Sequence, residues 1–171
     1  MTHDEKLLHI LDYATNFAAG KDEIRRYLQD VMIKNVGDDC HVVACDGHQL
    51  IKVVMEKYTH NIGFDRLTSE SVKNAAKVNE KSLLRESSVT ADYPDYERLM
   101  PNYDGCESLP GINVAFLANV FTKLQALIRK VNKEKMGRVC FEKLSYDNGC
   151  LFTHKLDEFT FINIVIMPMR K

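Results

Sequence analysis

The stretch RRYLQDVMIKNVGDDCHVVACDGHQLIKVVMEK (25–57) decides the fold class of this 171-residue chain. It is rich in Val, Ile, Leu and Tyr, which predicts three strands over Arg25–Lys34, Cys40–Asp46 and Gln49–Lys57. The two breaks between them, NVGD (35–38) and DG (46–47), have good turn chemistry. The stretch therefore indicates successive strands that are joined by tight turns.

A helix precedes these strands, and the same order of elements recurs later in the chain. Thr2 with Glu5 three places on is a capping-box signature, and apolar residues follow at helical spacing until Gly20 ends the helix. The clearest helix of the chain, which is the third in order, begins with Asn113 as its N-cap. Three more strands follow that helix, over Arg138–Leu144, Cys150–His154 and Phe159–Pro168.

The segment between these two units holds weaker signals. It predicts a second helix over Thr68–Lys81, a short strand over Leu83–Thr90 and an irregular connection over Ala91–Pro110. We therefore expect one α+β domain over residues 1–171, with antiparallel sheets, helices packed on one face and two helix-plus-three-strand units. Residues 1–59 form the first half-unit, 60–110 the connecting helix and loop, and 111–171 the second half-unit.

Composition excludes several classes of protein. A net charge of −1 excludes a uniformly basic nucleic-acid coat but leaves room for a basic face. No apolar run is long enough to cross a bilayer, the first residues have no signal-peptide pattern, and the five cysteines form no Cys-x-x-Cys pair. We expect a cytoplasmic protein with reduced thiols and no membrane partner.

Few residues suggest catalysis. Asp46 and His48 could serve acid–base chemistry, and Cys40, His41 and Cys45 could join His48 around a metal. The spacing fits none of the familiar zinc patterns, and no phosphate-binding glycine loop is present. We therefore expect no enzyme activity, no metal and no cofactor.

Four blocks of sequence carry a family resemblance. They are VACDGHQL (43–50), YPDYERLMP (93–101), GINVAFLANVFTKLQAL (111–127) and IVIMPMRK (164–171), and the segment LLHILDYATNFAAGKDEIRRYLQDVM (7–32) precedes the first block. In this order they resemble the bacterial β sliding clamp, the ring-shaped processivity factor of the replicative DNA polymerase. A member of that family has three domains per chain and closes its ring as a dimer. This chain looks like a reduced clamp that lacks the first domain.

The resemblance implies a surface pocket for short peptides, which dock in the family through a glutamine and paired apolar side chains. Gly47 would let a ligand backbone approach closely, and two methionines would supply an adaptable apolar wall. Carried over by position, the pocket residues are Cys45, Gly47, His48, Leu50, Pro94, Leu99, Val165, Met167, Pro168, Met169 and Arg170.

Three departures and one alternative accompany this pocket. Cys45 stands where the family usually has Thr, Gln49 where it usually has Arg, and Lys171 where an aliphatic residue usually stands. The loss of a cation at position 49 indicates a different peptide preference. Alternatively, residues 167–169 finish an edge strand, and Leu50 and Val165 are ordinary core.

DNA contact in the family is made by helices that touch phosphates without reading bases. Sequence-independent phosphate neutralisation needs cations and no base-reading residues. The cations could equally belong to a solvated helix face. The candidate DNA-binding residues here are Arg25, Arg26, Tyr27, Lys73, Lys77, Lys123, Lys130 and Lys133.

Two functions follow from the resemblance. The first is a processivity or tethering factor that forms a homo-oligomeric ring on double-stranded DNA and binds DNA polymerase and other proteins with clamp-binding motifs. The strands over Arg25–Lys34 and Phe159–Pro168 would close the ring by edge pairing. The alternative is a monomeric decoy or adaptor that keeps the pocket and lacks the ring.

Overall fold

The computed structural model describes residues 1–56, 65–100, 114–133, 141–145 and 150–166. The α-helices are α1 (His3–Ala14), α2 (Ser69–Val78), α3 (Tyr96–Leu99) and α4 (Val114–Asn132). The strands are β1 (Asp30–Val36), β2 (Asp39–Cys45), β3 (Gln49–Glu56), β4 (Arg66–Thr68), β5 (Phe141–Ser145), β6 (Cys150–Asp157) and β7 (Thr160–Ile166). Among the described helices, none is long and apolar enough to span a membrane.

One antiparallel sheet holds all seven strands in the order β4-β1-β2-β3-β7-β6-β5. Its central pair is β3 with β7, in which Gln49 lies opposite Ile166 and Val54 lies opposite Phe161. β2, β1 and β4 follow on the β3 side of this pair, and β6 and β5 follow on the β7 side. The predicted α+β class with two helix-plus-three-strand units is confirmed. The residue boundaries proposed for those units stay a prediction.

Side chains that alternate along the strands divide the sheet into two faces. We call the face covered by α1, α2 and α4 the helical face, and the opposite one the open face. The helix α1 contacts both α2 and α4. The strand residues buried beneath the helices are Val31, Ile33, Cys40, Val42, Ala44, Ile51, Val53, Met55, Phe152, Leu156, Ile162, Ile164 and Ile166. They form the main core, since each large apolar side chain removed from water stabilises the fold by about 1.5–3 kcal/mol.

The first helix begins as predicted and ends early. The hydroxyl Oγ1 of Thr2 accepts from the amide of Glu5 at 3.1 Å, and the Glu5 carboxylate accepts from the amide of Thr2 at 2.8 Å, so the capping box is confirmed. The predicted end at Gly20 is wrong. Thr15 donates its hydroxyl to the carbonyl of Asp12 and Asn16 donates its amide to that of Tyr13, and such side-chain bonds compete with helix continuation.

Two predicted strands need correction. The strand predicted over Arg25–Lys34 starts only at Asp30, because Arg26–Gln29 forms a 3₁₀ turn in which the amide of Leu28 donates to the carbonyl of Arg25. The strand predicted over Leu83–Thr90 is reduced to one bridge between Leu67 and Glu86.

Residues 85–87, within the segment predicted as a strand, cover the outer edge of β4. The amide of Thr68 donates to the carbonyl of Arg85 at 3.1 Å, and the amide of Ser87 donates to the carbonyl of Arg66 at 3.0 Å. The hydroxyl of Ser87 also bonds to Asp30, which anchors the segment beside β1. These contacts explain why a short polar stretch stays ordered without a ladder of its own.

The expectation that the first and last strands lie at exposed edges is wrong. β1 lies between β4 and β2, and β7 lies between β3 and β6. Strand order depends on pairing between residues more than 100 positions apart, which local patterns do not encode. The predicted N-cap Asn113 and the end of the last predicted strand lie outside the described residues.

Candidate functional site

A second apolar cluster lies on the open face of the sheet. We call it the pocket cluster, and its buried members are Leu28, Val43, Cys45, Leu50, Leu151 and Val165. Partly buried side chains pack around it, namely Ala19, Tyr27, Met32, Tyr93, Tyr96, Leu99 and Met100. Leu50 lies opposite Cys45 on β2 and opposite Val165 on β7, so three neighbouring strands form its floor. The structure thus brings together four of the predicted pocket residues, those at positions 45, 50, 99 and 165.

The turn between β2 and β3 is organised by a carboxylate. Asp46 Oδ1 accepts from the amides of His48 at 2.8 Å and Gln49 at 2.9 Å, and its Oδ2 accepts from Gln49 Nε2 at 3.1 Å. Gly47 has a φ of +92°, which a residue with a side chain adopts only under strain. Asp46 is therefore a turn-forming residue, and the exposed His48 follows it at the tip.

The segment Tyr93–Met100, here called the strap, crosses the open face beside this floor. Tyr96 and His41 are joined by a 2.9 Å hydrogen bond between Oη and Nδ1, and Lys52 Nζ lies 2.7 Å from Glu97 Oε1. Burial, followed by the nearby charge of Lys52, lowers the pKa of His41, while burial raises the pKa of Tyr96. Two neutral rings therefore form the hydrogen bond that holds the strap.

The strap carries two predicted pocket residues. Leu99 packs against the pocket cluster, and Pro94 is half-buried in the same segment. The predicted residues Met167, Pro168, Met169 and Arg170 lie outside the described part of the chain.

Sequence reasoning missed several members of the pocket cluster. Val43 stands two residues before Cys45 in the same strand, so the alternation of faces could have identified it. Leu28 gave no such signal, because it lies in a 3₁₀ turn that sequence reasoning had assigned to a strand. Leu151 on β6 lies opposite Val165 on β7, and only the strand order reveals that contact.

The four residues considered for a metal do not converge. Cys40 and His41 are neighbours on β2, so Cys40 is buried in the main core while His41 lies on the open face. Burial raises the pKa of Cys45, which keeps it as a neutral thiol in the pocket cluster. In the described ranges, no group of three His, Cys, Asp or Glu side chains could hold a metal ion.

The predicted DNA-binding residues fall on both faces of the sheet. Tyr27 packs against the pocket cluster, and Arg25 lies against Gly47, so both are on the pocket side. Arg26, Lys73 and Lys77 line a cavity of about 560 Å³ between the end of α1, α2 and the segment 87–89.

A smaller cleft of about 100 Å³ runs between α1 and α4. Lys123 and Lys130 line it together with His9 and Asp12. Burial and the charge of Lys73 lower the pKa of Lys123, which indicates that α2 and α4 direct cations toward a common region. Lys133 lies exposed just after α4, at a φ of +55°.

Solved structures with this architecture are sliding clamps. A DnaN sliding clamp (DNA polymerase III subunit beta) from Bartonella birtlesii bound to griselimycin has a TM-score of 0.67 and 19% identity, over 98% of this chain and 64% of that chain. A DNA polymerase sliding clamp from Pseudomonas aeruginosa with ligand has a TM-score of 0.69 and 16% identity, over 99% of this chain and 66% of that chain. A DNA polymerase III subunit beta from Pseudomonas aeruginosa has a TM-score of 0.65 and 18% identity, over 98% of this chain and 65% of that chain.

No protein-family model and no curated protein matches the sequence. The chain spans less than two thirds of the length of the clamps that it resembles. Almost all of it nevertheless superposes on them. The protein has the fold of the bacterial β sliding clamp.

Proposed function

We propose that this protein is a clamp-like tethering factor, which binds short peptide motifs of DNA polymerase and other proteins in the pocket cluster and binds DNA non-specifically through its helical face. The observation that carries the proposal is that a second apolar cluster and a group of cations lie on opposite faces of one sheet. Such a protein could hold a partner on one side and nucleic acid on the other. Tethering requires no catalytic group.

The pocket cluster supports the peptide part of the proposal. Its floor spans three strands, and the Asp46-Gly47-His48 turn lies at the end of two of them. Leu99 of the strap is partly buried where it packs against this floor, so a ligand side chain would bind beside Leu99 at the margin of the cluster. Burying two apolar side chains of a ligand would contribute roughly 3–6 kcal/mol before ordering costs, so micromolar affinity, about 8 kcal/mol, also requires the polar contacts of the ligand's glutamine and backbone.

A direct binding measurement tests this part. A fluorescently labelled peptide with a glutamine and two apolar anchors is titrated with the protein, and its anisotropy gives the Kd. Leu99→Ala should weaken binding about tenfold, since a partly buried leucine contributes about 1–2 kcal/mol of apolar contact.

Val78→Ala is the matched control. Val78 lies on α2, is 61% exposed and stands on the other face of the sheet, so binding should be unchanged. Equal affinity of the wild type and the Leu99 variant, or no binding at high protein concentration, would remove the peptide pocket from the proposal.

A ring is part of the leading proposal, and one observation favours the monomeric alternative. The two strands expected to close a ring are interior. Of the two edge strands, β4 has its outer edge covered by residues 85–87, which leaves β5 as the edge at which a second copy would have to pair. Solution mass by light scattering, with and without circular DNA, decides between them. A discrete oligomer that is retained on circular DNA and released when the circle is cut supports the ring. A monomer without DNA retention supports a decoy or adaptor.

A further inference from the structure

The cavity of about 560 Å³ between the end of α1, α2 and residues 87–89 is here called the α2 cavity. It is open because α1 ends at Ala14, and the residues that line it next, Ala18, Ala19 and Gly20, have small side chains or none. Sites for small molecules usually measure about 300–1,000 Å³. The α2 cavity is therefore large enough for a ligand of the size of a nucleotide.

The mouth of the α2 cavity is cationic. Lys73 and Lys77 lie one turn apart on α2, and Arg26 lines the cavity from the 3₁₀ turn. These residues are exposed, and within the described part of the chain no acidic side chain forms an ion pair with them. A fourth cation, Lys21, is already paired with Glu70 at 3.5 Å. Since like charges four residues apart on a helix repel each other, an anion between the two α2 lysines would be favourable.

The inner part of the α2 cavity is polar but not cationic. Thr15 and Asp30 are buried there, and the Asp30 carboxylate accepts from the hydroxyl of Ser87, which also lines the cavity. Burial raises the pKa of Asp30, although the bond from Ser87 and the charge of Arg66 oppose this. A carboxyl group in this place repels an anion and favours a ligand hydroxyl or amino group that donates a hydrogen bond.

The two parts of the cavity favour a ligand with two different ends. Inorganic phosphate would contact the cations at the mouth and leave the inner part unfilled. A nucleoside phosphate has an anionic end for the mouth, and its sugar and base carry neutral groups that can donate hydrogen bonds further in. Bases inside a duplex are paired and stacked, so the nucleotide has to be unpaired to enter.

We propose that the α2 cavity binds a nucleoside phosphate, with its phosphate groups at Arg26, Lys73 and Lys77 and its sugar or base beside Asp30. A free nucleotide and an unpaired nucleotide of a DNA strand present the same groups, and both are sources of this ligand. The α2 cavity is separate from the pocket cluster, so the inference stands without the peptide-binding function.

Calorimetric titration of the full chain with ADP, pyrophosphate and adenosine tests the inference. ADP should bind at least about fivefold more tightly than either of the other two, because each of them matches one end of the cavity alone. Pyrophosphate that binds as tightly as ADP would overturn the inference, since the cavity would then bind anions of any kind. Absence of ADP binding at millimolar concentration would also overturn it.

Two variants locate the site. Lys77→Gln should weaken ADP binding about fivefold and leave adenosine unaffected, because it removes one charge-assisted contact to phosphate. Gly20→Leu should weaken ADP and adenosine alike by at least about tenfold. A Cβ added to Gly20 would meet no atom within 4 Å, so the new side chain fills the cavity without displacing its neighbours.

Lys34→Gln is the matched control, because Lys34 is an exposed lysine on the open face and its loss should leave ADP binding unchanged. Thermal midpoints confirm that each variant is folded. Equal ADP affinity in the wild type and the Gly20 variant, or equal weakening by the Lys77 and Lys34 variants, would overturn the inference. With fluorescent ADP bound, displacement by a short 5′-phosphorylated single strand supports a DNA strand as the source, and its failure supports a free nucleotide.

Discussion

At the scale of single residues, the turn at 46–48 shows how a residue type is misread from sequence. Asp46 beside His48 suggests acid–base chemistry, yet three hydrogen bonds commit its carboxylate to the turn. The same bonds fix the side chain of Gln49, which is buried. The position of Gly47 under Arg25 depends on this carboxylate.

Replacement of Asp46 by Ala should therefore destabilise the fold by about 1–3 kcal/mol, because two amides and the buried Gln49 lose their acceptor. Urea denaturation measures this change as a lower midpoint. Asp46→Asn is the control, since its carbonyl oxygen still accepts from both amides, and it should lose less than half as much. If both variants unfold at the wild-type midpoint, the carboxylate does not organise the turn.

At the scale of elements, the helical face has a cationic group on each side of α1. Lys73 and Lys77 belong to α2, and Lys123 and Lys130 belong to α4. The effect of Lys73 on the pKa of Lys123 links the two groups across the end of α1. A DNA strand over this face would meet cations from two helices.

Charge reversal tests that surface. Lys73→Glu with Lys123→Glu should weaken duplex DNA binding and reduce the slope of log K against log salt by about 1.8, since each phosphate contact contributes about 0.9. The control reverses Lys34 and Lys155, which are exposed on the open face, and should leave the slope unchanged. If the Lys34 and Lys155 reversal lowered the slope and the Lys73 and Lys123 reversal did not, DNA would bind to the open face.

Elements whose signal is local could be predicted from the sequence. The capping box, the β2–β3 turn and the apolar faces of α1 and α4 depend on residues a few positions apart. The three-residue strand β4 has no periodicity of its own and exists because it pairs with β1. Likewise, Leu28 in the 3₁₀ turn and Leu151 on β6 belong to the pocket cluster because the fold brings segments that are distant in the sequence together. Cys45, Leu50, Leu99 and Val165, which the family resemblance predicts to lie together, do so in the pocket cluster.

At the scale of the whole molecule, a partly buried ion pair joins the two half-units. Lys6 of α1 lies 2.5 Å from Asp157 of β6 and also donates to Thr160 of β7. Burial alone would raise the pKa of Asp157, but the hydrogen bonds from Lys6 and Thr160 outweigh it, so the pKa falls below its ordinary value of 3.8. The helix of one half thus neutralises a charge in the turn of the other.

This pair predicts acid sensitivity. A carboxyl whose pKa is lower in the folded state stabilises the fold above its ordinary pKa, and the contribution is lost as the pH falls through the folded pKa. Lys6→Met should cost about 1 kcal/mol at pH 7, and the cost should shrink as the pH falls below 3.8 and through the lowered pKa of folded Asp157. Urea midpoints measured from pH 7 down to pH 2 check this. A constant difference between variant and wild type would show that lost packing, rather than charge, is responsible.

The central position of β7 has a consequence for synthesis. The strand β3 is complete when residue 56 has been made, but its partner β7 is made more than 100 residues later. Until then, β3 has an open edge and an apolar face, which is the kind of surface that recruits chaperones or pairs with other nascent chains. The sheet can therefore be completed only after residues 160–166 have emerged from the ribosome. A chain truncated before them would lack the partner of β3, and the exposed edge would be open to pairing with other chains.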